Sequence, residues 1–158
     1  MRPARSARRA AVGAALGVAV LAAGCAGAVR VPPPEPEGAA ADRCAALVGR
    51  LPDTLLGADR AAVEPDSPYV AAWGDPPIAV RCGVERPEGL RPDSELMVVN
   101  DVAWLPQPAD RPTLFTSVGR EVYVEVTLPP SYGAPADGLV EVGGLVAEEA
   151  PPLPDGEL

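Results

Sequence analysis

The chain has 158 residues, enough for one folded domain, and carries 13 basic against 22 acidic residues with no histidine. So acidic a chain repels nucleic acid, and without histidine it lacks the usual general base and the commonest metal ligand, which argues against nucleic-acid binding and against most hydrolytic or metal chemistry. Aromatic residues make up only 4%, while 21 prolines and 16 glycines gather at the ends and in short loops, so a small core of Val and Leu is expected between loose termini.

The N-terminus opens the chain order. Arg2, Arg5, Arg8 and Arg9 precede an uncharged run from Ala10 to Gly24, and every acidic residue lies beyond position 30. A basic stretch followed by an apolar run that ends in small residues is the layout of a secretory signal. The run is shorter than the roughly 20 residues needed to span a bilayer. Its end, Leu21-Ala22-Ala23-Gly24-Cys25, resembles the bacterial lipobox, in which a small residue precedes a cysteine whose sulfur accepts a diacylglyceryl group before cleavage. The leucine stands one position further from the cysteine than usual. Residues 1–24 are expected to be a signal peptide and Cys25 a lipidated residue, with the membrane as partner and the outer face of the cytoplasmic membrane as location. Cleavage without lipid, or retention as an anchor, are the alternatives. Of the three cysteines, lipidation uses one and leaves Cys44 and Cys82, which are expected to pair in an oxidising compartment.

Residues 25–41 contain Val31-Pro32-Pro33-Pro34-Glu35-Pro36-Glu37 and are expected to form a disordered, extended spacer. A single domain is expected over 42–147. Asp42 suits the cap of a helix at 43–51, where Cys44, Leu47, Val48 and Leu51 fall on one stripe before Pro52. Residues 53–68 read as loop. Strands are expected at 69–73 and 78–84 around a Gly74-Asp75-Pro76-Pro77 turn, at 95–99 and 102–105 around Asn100-Asp101, and at 114–117. The clearest strand is 122–128, where Val122, Val124, Val126 and Leu128 alternate with Glu121, Tyr123, Glu125 and Thr127. A second helix is expected near 136–147, weakened by Gly143-Gly144, and 148–158 as a disordered acidic tail. Strands with two flanking helices make an α+β fold with a small, mainly antiparallel sheet.

Trp73-Gly74-Asp75-Pro76-Pro77-Ile78, then Arg81-Cys82-Gly83-Val84, with Trp104, Phe115-Thr116-Ser117 and Gly119-Arg120 further on, form a recurring arrangement. It resembles an uncharacterised family of actinobacterial exported proteins known only as a domain of unknown function. The likeness covers about residues 42–147. It implies export or anchoring and supplies no reaction, ligand or partner.

Two readings of these residues compete. Trp73, Asp75 and Arg81 can form a recognition patch beside the turn, joined by Trp104, Arg120 and Tyr123, since aromatics and arginine make good anchors. The plainer and preferred reading places Trp73 in the core, pairs Asp75 with Arg81, and covers Tyr123 with loops. No catalytic set is expected: Ser94, Ser117 and Ser131 have no histidine or lysine to activate them, and there is no phosphate loop, CxxC pair or calcium loop. No cofactor and no metal are expected. The expected function is a lipid-anchored, non-enzymatic interaction module that binds an envelope protein or wall component. The alternative is a small-molecule carrier with a pocket between sheet and helix.

Overall fold

A computed structural model describes residues 27–154 and Glu157, so Cys25 and the signal lie outside the described residues. The elements are β1 (Val29–Arg30), α1 (Gly38–Arg50), β2 (Thr54–Leu55), β3 (Ala58–Ala61), β4 (Val63–Glu64), β5 (Val70–Trp73), β6 (Ile78–Val84), β7 (Met97–Val99), β8 (Val102–Gln107), β9 (Leu114–Val118), β10 (Tyr123–Thr127) and α2 (Pro135–Glu149). Eight strands form one antiparallel sheet in the order β2-β3-β5-β6-β10-β9-β8-β7, and β1 pairs with β4 in parallel beside it. The fold is therefore α+β, as the sequence predicts.

Strand alternation sets the two faces of the sheet. Ile78, Val80 and Cys82 of β6 join Val122, Val124, Val126 and Leu128 in the main core, which Leu47 and Val48 of α1 and Leu139, Val142 and Val146 of α2 complete. A disulfide joins Cys44 to Cys82, their Cα atoms 5.2 Å apart, and so ties α1 to the centre of the sheet. Asn100 and Asp101 take φ of 51° and 58°, the left-handed pair that closes a two-residue hairpin between β7 and β8.

The opposite face is covered without a helix, and here the structure departs from the expected spacer. Residues 29–36 lie across β5 and β6 as a strap. The amide of Val29 donates to the Ala62 carbonyl at 2.8 Å and that of Val31 to the Glu64 carbonyl at 3.2 Å. Val31 is buried against Val70 and Ala79. Gly83 has φ of +87°, and a Cβ there would lie 2.6 Å from the Pro36 ring, so a glycine at this point lets the strap seat. The proline run lies against the sheet and does not stand free of it. It is ordered because the outer face of β5 and β6 would otherwise leave Val70 and Ala79 open to water.

Three further boundaries differ. Helix α1 starts at Gly38, so Asp42 lies inside it and is not its cap. The region read as loop, 53–68, holds β2, β3 and β4. The supposed tail is tied down as far as Leu153: α2 runs to Glu149, the Glu121 amide donates to the Pro151 carbonyl at 2.9 Å, and the Leu153 amide to the Gly119 carbonyl at 2.9 Å.

Candidate functional site

The six predicted patch residues do not meet on one surface. Trp73 and Trp104 are wholly buried in the main core. The Trp73 indole N–H donates to the Pro52 carbonyl at 2.9 Å, and the Arg60 guanidinium sits 5.6 Å from the centre of its ring, a cation–π contact. Trp104 Nε1 has no acceptor among the described residues. Arg120 is buried as well. Its guanidinium donates to the Ala150 carbonyl at 2.9 Å and the Asp101 carbonyl at 2.8 Å, which closes the C-terminal end of α2 against the β7–β8 turn. Burial lowers its pKa, Asp101 opposing, yet an arginine stays charged. These three residues serve the fold.

The other three separate along the outer face. Arg81 and Glu125 stand directly opposite each other in the β6–β10 register, and their side chains pair at 2.7 Å. The predicted partner, Asp75, sits instead in the turn before β6, exposed. The reason is alternation: Arg81 projects from mid-strand, where its register neighbour on β10 is nearer than a turn residue six positions back. Arg81 Nε also donates to the Pro32 carbonyl at 3.0 Å, which holds the strap. Tyr123 is half-buried and packs against the cluster of Leu90, Leu105 and Val118.

Two open grooves remain near these residues. The larger, about 660 Å³, lies where the strap begins, with Gly27, Arg30, Asp59, Arg60, Asp75 and Pro77 in its walls. The Gly74 amide donates to the Asp59 carbonyl at 3.1 Å, and Gly74 takes φ of +68°, which turns Asp75 outward beside it. A second groove, about 540 Å³, runs past Arg81, Glu125, Pro34, Glu35 and Glu85. Of the predicted patch, Asp75 reaches the first groove and Arg81 the second. Reading the sequence missed Arg30, Asp59 and Arg60, because they lie on segments taken for spacer and loop.

Among the described residues no three His, Cys, Asp or Glu side chains converge as metal ligands would. The Ser117 hydroxyl accepts the Val124 amide at 2.9 Å in the core, and the Ser94 hydroxyl accepts the Arg91 amide at 2.9 Å. Both serines hold backbone. Two large apolar side chains are exposed among the described residues: Val140 on α2, and Val98, with 68% of its surface open, on β7, the strand at one edge of the sheet.

Compared with known proteins, residues 9–154 match the model of a family described as a protein of unknown function, DUF3515. No curated protein and no solved structure matches the chain.

Proposed function

The chain belongs to the DUF3515 family, whose molecular function is unknown, and on that premise we propose that it is a lipid-anchored, non-enzymatic interaction module of the cell envelope. The Cys44–Cys82 disulfide carries the reading, because paired thiols belong to proteins of an oxidising compartment. It agrees with the signal-like N-terminus and with Cys25 as the lipidated residue. Among the described residues no helix is long and apolar enough to cross a membrane. The acidic surface disfavours nucleic acid as partner. Open grooves with mixed charged and apolar walls suit a segment of another envelope protein or a wall component better than an enclosed small molecule.

Photo-crosslinking in living cells tests the reading. Trp73 and Trp104 are buried and unsuited to carry probes, so probes belong at Asp75, Val98 and Tyr123. One dominant partner, captured from a subset of these positions, is the expected result. Capture of no macromolecule from any of the three would overturn the interaction module and favour a small-molecule carrier.

A further inference from the structure

Contacts of three kinds hold residues 29–36 on the sheet. The backbone of β1 pairs with β4, matching Val29 to Val63 and Arg30 to Glu64. The Val31 side chain is buried with Val70 and Ala79, and the Pro32 carbonyl accepts from Arg81. Pro36 fills the space left by Gly83. The strap therefore starts at the Gly74–Pro77 turn, where Gly27 lines the groove beside Asp75, and ends at the far end of β6.

From this placement we infer that the strap fixes how the domain sits on the bilayer, with the Gly74–Pro77 end facing the lipid headgroups and the β6 C-terminal end facing away. The inference rests on lipidation of Cys25. Four residue steps separate Cys25 from Val29, a reach of at most about 14 Å. A free polyproline spacer over 25–41 would instead reach about 50 Å and leave the orientation open. The difference is larger than the length of β6, about 23 Å at the usual strand rise, so a pinned strap keeps one end of the sheet near the membrane while a free spacer would not.

The full-length protein, extracted from membranes and reconstituted in vesicles containing phosphatidylglycerol and headgroup-spin-labelled lipid, provides the test. A fluorophore is placed on Asp75→Cys or on Glu85→Cys, at opposite ends of β6. Quenching is expected to be several-fold stronger at position 75. Inserting about twelve Gly and Ser residues between Ala26 and Gly27 adds roughly 20 Å of slack with every strap contact intact, and should abolish the difference. Val29→Pro with Val31→Asp, which releases the strap itself, should do the same. Equal quenching at the two positions in the native chain would overturn the fixed orientation, as would a difference that survives the insertion. Protein that partitions wholly into the aqueous phase of a detergent extraction and never joins the vesicles would overturn the lipid anchor itself, a separate failure.

Discussion

Replacing Cys44 and Cys82 together by alanine lowers the stability of the domain by about 4 kcal/mol, the loop-closure entropy of a crosslink spanning 38 positions. A domain of this size has only about 5–15 kcal/mol in total, so the loss takes about a quarter or more of it and lowers the melting temperature on the order of 15 °C. The bond joins the buried stripe of α1 to the middle of β6, and both sulfurs are fully enclosed. Reduction under native conditions should accordingly be slow, and reduction after unfolding complete. Thiol titration of the unfolded, unreduced protein should find neither Cys44 nor Cys82 free. Two free thiols, or a double-alanine variant as stable as the parent, would contradict this.

Trp73→Ala is expected to cost about 3–5 kcal/mol, the range for removing a fully buried large aromatic. The side chain is wholly buried in the main core, and its loss also strips the Pro52 carbonyl of its donor and the Arg60 guanidinium of its ring. Trp73→Phe keeps most of the volume and should cost only about 1–2 kcal/mol. Chemical denaturation of both variants reads the difference. If Trp73 were instead a surface anchor for a partner, both variants would be as stable as the parent and only binding would fall. Stability held in Trp73→Ala would therefore reverse the assignment of Trp73 to the core.

The elements with strong alternation or a clear apolar stripe were legible in the sequence. β6 runs over the predicted residues, 78–84, because Ile78, Val80 and Cys82 face the core while Ala79 and Arg81 face away. β10 follows Val124 and Val126 in the same way, and α2 keeps Leu139, Val142 and Val146 inside despite Gly143-Gly144. What stayed hidden were short elements. β2, β3 and β4 hold two to four residues each, with Asp59, Arg60 and Glu64 among them, and no alternation survives over so short a span. The strap was hidden for a different reason. Its prolines announce an extended backbone but not a surface to lie on, and the surface exists only once β5 and β6 have paired.

The candidate site was the least legible part. Trp73, Trp104 and Arg120 belong to residue types that make good binding anchors, yet the same size and donor capacity suit them to fill a core or to bond carbonyls at a helix end. Type alone cannot separate the two uses. Arg81 was expected to bond Asp75, its neighbour in sequence, and bonds Glu125 across the sheet, a choice fixed by register. The surfaces left open, the groove beside Asp75 and the edge at Val98, depend on the strap and on strand order, neither of which is a local property of the chain.

The most direct measurement of the proposed anchoring is the mass of the N-terminal peptide of the protein extracted from membranes of cells that make it. The expected peptide begins at Cys25 and carries the added mass of a diacylglyceryl group, and Cys25→Ser should leave an uncut, unlipidated precursor. A membrane-extracted chain whose N-terminus lies elsewhere, or whose Cys25 is unmodified, would contradict the anchor and with it the placement of the domain on the envelope surface.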